Sequence, residues 1–244
     1  MANPTILPPG RVHLLAGISS SGKSRFAVPA LIMGAAGLAG LTLMRKQTPW
    51  CIVSRDRQLE DVQGMVTKMG FDLDSVHIIP AFGKHAKPRY QIFEIIHKHD
   101  FQFVLWEGID LEVKNPNNPH DVSELLSSVT AHCQDGLTVL GTVGVAKLKP
   151  AETYQNPRQL VAGSSIWERC THTNMVIMPI NPLDIEDGRR LLYVSLKDDP
   201  SFAVAGEFGE RGILAFEGYD QRERGARLAN APAKERTKVW YNIL

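Results

Sequence analysis

Short apolar runs alternate along this chain with segments in which apolar residues recur at helical spacing. The runs Arg11–Ala16, Trp50–Ser54, Val76–Pro80, Phe101–Trp106, Leu137–Val143 and Asn174–Pro179 read as strands. They are nearly continuous in apolar character, which is the mark of strands covered on both faces. Between them, helices are expected from Gly22 to the Gly34–Gly40 region, over Leu59–Gly70, over Tyr90–His99, and from a cap at Asp121 or Ser123 to about Gln134. Leu59, Val62, Met65, Val66 and Met69 carry the periodicity of the second of these. Gly163–Ser164–Ser165 opens a short helix through Cys170.

The last third changes character. Asp187–Gly188 is a hairpin signal between Asn174–Pro179 and a strand over Arg190–Leu196, and Gly212–Phe216 is expected to pair with that strand. Strands that first alternate with helices and then follow one another in hairpins predict an α/β fold. Its sheet would be mainly parallel, flanked by helices, with antiparallel strands at the C-terminal edge. Met1–Gly10, with Pro4, Pro8 and Pro9, is an extended lead-in, and Ala81–Arg89 and Asn115–Pro119 are loops. A core over residues 1–218 is followed by a basic tail over 219–244, which carries Arg222, Arg224, Arg227, Lys234, Arg236 and Lys238.

Composition narrows the reading only a little. With 43% hydrophobic and 22% charged residues, the chain has the make-up of a globular protein. A net charge of +1 means that any nucleic-acid binding must come from local patches. Cys51, Cys133 and Cys170 are far apart and odd in number, so buried free thiols in a reducing compartment are expected. Ala27–Met44 is long and uncharged, but Pro29, Gly34, Gly37 and Gly40 interrupt it. It reads as a helix covered by its own domain, not as a membrane span. Met1–Gly10 lacks the form of a signal peptide, and a cytoplasmic protein is expected, in a host cytoplasm if phage-encoded.

One stretch carries specific chemistry. Gly17–Ile18–Ser19–Ser20–Ser21–Gly22–Lys23–Ser24 fits the phosphate-binding loop pattern G-x-x-x-x-G-K-S/T. The glycines let the backbone curl so that successive N–H groups face one cavity, and the next helix adds its N-terminal N–H groups. Lys23 can reach the β- and γ-phosphates of a nucleotide, and the Ser24 hydroxyl can hold Mg²⁺. Gly17, Ser19, Ser20, Ser21, Gly22, Lys23, Ser24 and Arg25 are the expected nucleotide-binding residues. The strand before the loop and the helix after it supply the context this motif requires.

Hydrolysis needs acids as well. Glu107 ends an apolar strand and is the metal-side candidate beside Ser24, with Asp110 in reserve. Asp56 is expected to polarise the attacking water, because its strand is expected beside the phosphate loop; Glu60 is the alternative one turn along. His77, His85, His97, His99, His120, His132 and His172 show no ligand spacing, so no zinc site is expected. Ser164 and Ser165 lack a nucleophile-elbow pattern.

Gly17–Ser24, then Val53–Asp56, then Phe103–Glu107, resemble in order and spacing the RecA-like P-loop ATPases. The closer resemblance is to the RepA/DnaB-type hexameric helicase branch, over residues 10–217. It implies an ATP- and Mg²⁺-dependent motor acting on DNA in replication or recombination, working as a hexameric ring with ATP at a subunit interface. It places Lys197, at the end of the late strand, as a finger reaching the neighbouring subunit's nucleotide, with Arg211 as a second candidate. It also implies that Glu112–Asp121 and Lys147–Leu160 line a central channel. There Lys147, Lys149 and Arg158 would hold single-stranded DNA phosphates, and Tyr154 would stack on a base. Asp56 stands where the family often has Glu, and Gly144 where it has His or Gln. Those departures keep a second reading open: a nucleotide-dependent assembly or regulatory ATPase without motor activity. A small-molecule P-loop kinase is disfavoured, because no arginine-rich lid is evident.

Overall fold

A computed structural model of the chain describes residues 6–33, 49–145, 165–180, 188–197, 202–209 and 211–216. Strands β1 (Val12–Gly17), β2 (Trp50–Ser54), β3 (His77–Pro80), β4 (Phe103–Glu107), β5 (Thr138–Val143) and β6 (Thr173–Pro179) are followed by β7 (Arg189–Leu196), β8 (Phe202–Phe208) and β9 (Leu214–Phe216). Helices α1 (Lys23–Met33), α2 (Leu59–Lys68), α3 (Arg89–Lys98), α4 (Pro119–Cys133) and α5 (Ile166–Arg169) lie between the first six strands. Among the described residues these strands form one nine-stranded sheet in the order β3-β2-β4-β5-β1-β6-β7-β8-β9. Pairing is parallel from β3 to β6 and antiparallel from there to β9.

Every residue of β1, β4, β5 and β6 is buried, because helices cover both faces of the sheet. Leu15, Ile52, Leu105, Leu140 and Met175 point to one face, where they meet Phe26 and Leu31 of α1 and Val62 and Val66 of α2. Leu14, Val53, Val104, Trp106 and Val139 point to the other, where they meet α3, α4 and Trp167 of α5. Alternation along each strand thus divides one apolar run between two cores.

The expected elements form, with differences that have physical causes. Helix α4 is capped by Asn118, whose side chain accepts from His120 N at 3.0 Å, and not by Asp121 or Ser123. Pro119 suits the first helical position, where its missing N–H costs nothing, so the helix starts earlier than its apolar periodicity. Strand β9 pairs with β8, not with β7. The strand between them, Phe202–Phe208, is rich in small residues and escaped the apolar-run criterion. Cys51 and Cys133 are buried as expected, but Cys170 is exposed at the end of α5. Strand β2 does not lie beside the phosphate-loop strand: β4 and β5 stand between them. The Gly34–Gly40 region, Lys147, Lys149, Tyr154, Arg158, the Asp187 turn position and the basic tail lie outside the described residues. No described helix is long and apolar enough to cross a membrane.

His13 ties the lead-in to the sheet. It is buried on β1, and its Nε2 lies 2.9 Å from the Pro8 carbonyl, which fixes Nε2 as the protonated nitrogen. Burial pushes its pKa from 6.5 to about 3, against the raising effect of that bond. A histidine that titrates lower when folded than when unfolded stabilises the fold fully above the unfolded value. That stability is lost as pH falls from 6.5 toward 3. The loss attributable to His13 should be on the order of 5 kcal/mol across that window. His13→Asn should flatten the slope of unfolding free energy against pH there, as read by urea titration; an unchanged slope would contradict the assignment.

Candidate functional site

The loop leaving β1 runs from Gly17 to Ser24 at the carboxyl end of the parallel strands, where open α/β sheets place their ligands. Its shape depends on two missing side chains. A Cβ on Gly17 would stand 2.3 Å from Ser21 Oγ and 2.9 Å from the Ile177 carbonyl of β6. Gly22 has φ +99, and a Cβ there would stand 2.6 Å from the Phe208 ring of β8. Ser20 is also left-handed, at φ 64, and Ser21 N closes the turn onto the Ile18 carbonyl at 3.1 Å. Ser19 and Ser20 are exposed at the loop tip, and Ser21 is buried beneath it.

Lys23 folds back over its own loop, donating to the Gly17 carbonyl at 2.7 Å and the Ile18 carbonyl at 3.3 Å. Burial lowers its pKa, while Asp110, Asp56 and Glu107 act in the opposite sense. Three acids therefore converge electrostatically on the loop lysine from the ends of β2 and β4. They do so although β5 separates β4 from β1, because the segments after β2 and β4 are tied together above the sheet. Arg55 N donates to the Glu107 carbonyl at 3.0 Å, and the Arg55 side chain bonds the Ala81 carbonyl and pairs with Glu112 at 3.3 Å. Gly108 is left-handed, at φ +70, and a Cβ there would stand 3.0 Å from Asp56 Cβ.

Glu107 has no exposed surface, and neither of its carboxylate oxygens has a hydrogen-bond partner among the described residues. Burial raises its pKa, opposed chiefly by Arg57 and then by the Ser24 hydroxyl. Arg57 Nη2 stands 3.7 Å from Glu107 Oε1 and donates to Ser24 Oγ at 2.6 Å. The two residues expected to hold Mg²⁺ are thus brought together around one guanidinium. Their donors are all oxygens, and the buried Glu107 pair makes no hydrogen bond among the described residues, which fits a hard divalent cation. Asp110 is otherwise engaged: its Oδ2 accepts from Gly144 N at 3.0 Å. Burial raises its pKa as well.

Strand β5 offers few free polar groups. Gly144 contributes only its backbone, and Thr142 Oγ1 is taken by Gly108 N at 2.9 Å. Lys197 is exposed just past β7. Leu196 pairs with Thr173 at the start of β6, whereas Gly17 pairs with Ile177 near its end. At the usual rise per strand residue, Lys197 lies on the order of 15 Å down the sheet from its own phosphate loop. Within one chain it cannot serve that loop.

A cavity of about 1170 Å³ opens over the phosphate loop. Loop residues 19–25 line one side, Asp56, Arg57 and α2 another, and Arg190, Phe208 and Arg211 the third. Arg25 and Arg190 lie over the Phe208 ring, 5.6 and 4.9 Å from its centroid. Sequence reasoning missed the parts played by Arg57, Arg190 and Phe208. For Arg57 the signal was its place beside Asp56; for Phe208 there was none, because β8 itself was not read. His97 Nε2 and His132 Nδ1 meet at 3.0 Å across α3 and α4, but no group of three or more metal-ligating side chains occurs among the described residues.

The same architecture is found in a KaiC-like protein from the hyperthermophilic archaeon Pyrococcus horikoshii OT3. The two match with a TM-score of 0.58 and 16% identity, over 86% of this chain and 90% of that one. No protein-family model and no curated protein sequence matches the chain. At this identity the likeness is one of fold, and the fold is RecA-like α/β: a mainly parallel, helix-covered sheet with an antiparallel edge.

The loop's dependence on Gly22 can be measured. Gly22→Ala combines a left-handed backbone with a clash against Phe208, and should cost about 1–3 kcal/mol of stability. A denaturation midpoint equal to that of the wild type would show that the loop is not packed in this way.

Proposed function

We propose that the chain is a RecA-like P-loop ATPase that binds ATP with Mg²⁺ over Gly17–Ser24 and hydrolyses it at a subunit boundary. The carrying observation is the convergence of Lys23, Ser24, Glu107 and Asp56 at one end of the sheet, under a cavity large enough for a nucleoside triphosphate. In this reading the loop N–H groups and Lys23 hold the β- and γ-phosphates, and Lys23 exchanges its two carbonyl bonds for phosphate oxygens. Ser24 and Glu107 would hold Mg²⁺, which neutralises charge developing on the phosphates. Asp56, one-third exposed and beside the cavity, orients the attacking water. Phe208 and Arg25 give the far wall a flat, cationic surface suited to the base and α-phosphate.

Lys197 supplies transition-state charge from a neighbouring subunit, consistent with its distance from its own loop. The motor reading extends this to a ring acting on single-stranded DNA, through Lys147, Lys149, Tyr154 and Arg158. Its support is the sequence resemblance and the RecA-like fold. A second reading has its own observation: β5 presents no free polar side chain to the site, since Thr142 is bonded to Gly108 N and position 144 is glycine. Nucleotide-driven assembly or regulation with slow turnover accords with that.

ATP should bind with Mg²⁺, and Lys23→Ala should weaken it at least ~100-fold through loss of charge-assisted bonds; equal affinity in the variant would refute the phosphate site. ATPase rate with and without single-stranded DNA, measured with native mass, separates the two readings. DNA stimulation of a hexamer supports the motor, and an assembly that binds ATP but ignores DNA supports the regulatory role. Mixing Lys197→Ala with Lys23→Ala subunits should restore part of the activity at mixed interfaces. No recovery would argue against a finger in trans.

A further inference from the structure

We propose that Arg57 is the resident cation of the Ser24–Glu107 seat, and that a divalent cation must displace it to enter. The inference rests on the phosphate-site reading above and concerns how that site is kept when empty. Glu107 is fully buried, and a carboxylate in that position needs a counter-charge from within the protein. Arg57 supplies it at 3.7 Å, and the same Nη2 uses the Ser24 hydroxyl at 2.6 Å. These are the oxygens a hard cation would take. A guanidinium and a divalent ion cannot share them, because two positive centres would stand within a few ångströms of each other. Occupancy is therefore exclusive.

Arg57 is also built to leave. Its backbone is anchored, since Ser54 Oγ donates to its carbonyl at 2.9 Å. Its side chain is one-third exposed along the cavity, and its other ties are an Asp56 oxygen at 3.9 Å and the Met65 sulfur at 3.1 Å. The first is beyond hydrogen-bond length and the second ends on a weak sulfur acceptor. A swing about the side chain alone moves the guanidinium from the seat toward the space over Lys23, where a triphosphate would lie. Its planar fork suits phosphate oxygens. Arg57 is thus a two-position group: counter-ion to Glu107 when the site is empty, phosphate ligand when it is filled. Metal entry and phosphate gripping become one event.

The test uses Mn²⁺ as a probe for the seat, read by its electron paramagnetic resonance signal, in the nucleotide-free protein. The wild type should retain Mn²⁺ poorly. Arg57→Ala should bind it at least ~10-fold more tightly, because the competing charge is gone. Arg57→Ala with Glu107→Gln should return to weak binding, and Arg57→Lys should stay close to wild type. In melting experiments Mg²⁺ should raise the midpoint of Arg57→Ala and leave the wild type unmoved. If Arg57→Ala does not fold, Arg57→Gln replaces it. Mn²⁺ affinity in the folded variant equal to that of the wild type would overturn the proposal, as would tightening that survives Glu107→Gln. Because no nucleotide is present, failure here leaves ATP binding standing. Conversely, a wild type that binds no ATP would refute the phosphate-site reading whatever Mn²⁺ does.

Discussion

A carboxylate with no exposed surface is the constraint around which this site is arranged. Glu107 ends the β4 strand inside the protein, and its charge has to be answered locally. Arg57 comes from the end of β2 and Lys23 from the start of α1, so the answer draws two crossovers of the fold to one point. The ties between the β2 and β4 segments serve that convergence. Arg55 N on the Glu107 carbonyl and Arg55 on Glu112 hold the segment that carries Asp56 and Arg57 across the sheet end. Without them, a strand three places from β1 would have no reason to lean over the phosphate loop.

The sheet order explains why the acids of the site gather on one flank, answered there by Arg55 and Arg57, while arginines line the cavity on the other. Toward β5, β4 and β2 lie Asp110, Glu107 and Asp56; toward β7 and β8 lie Arg190 and the Arg25–Phe208 contact. A triphosphate lying along the loop would have its reacting end among the acids and cation seat, and its other end against an aromatic and arginine wall. The same order leaves β5 next to both β1 and β4, yet β5 spends its one polar side chain near the site on Gly108 N.

The fold was largely legible because buried parallel strands are continuous apolar runs, and this chain has five of them, with the edge strand β3, in regular alternation with helices. The turn between β1 and α1 was legible from Gly17, Gly22, Lys23 and Ser24 alone. What the residues could not show was adjacency. Asp56 was assigned on the assumption that β2 neighbours β1; it approaches Lys23 instead through loop contacts that only the folded chain contains. Arg57 reads in the sequence as one of two arginines flanking an acid, and nothing there separates Arg55, which pins the loops, from Arg57, which meets Ser24. Strand β8 was lost because Ala203, Ala205 and Gly206 give it little apolar contrast, and with it went Phe208. Asn118 was overlooked as a cap because the apolar periodicity begins later than the helix.

Phe208 carries a consequence of its own. Its ring fills the space where a side chain at Gly22 would be, so the phosphate loop and the antiparallel edge are in direct mechanical contact. Any change in the loop's curvature must push on that ring or release it, and the ring belongs to the middle of the β7–β8–β9 ribbon.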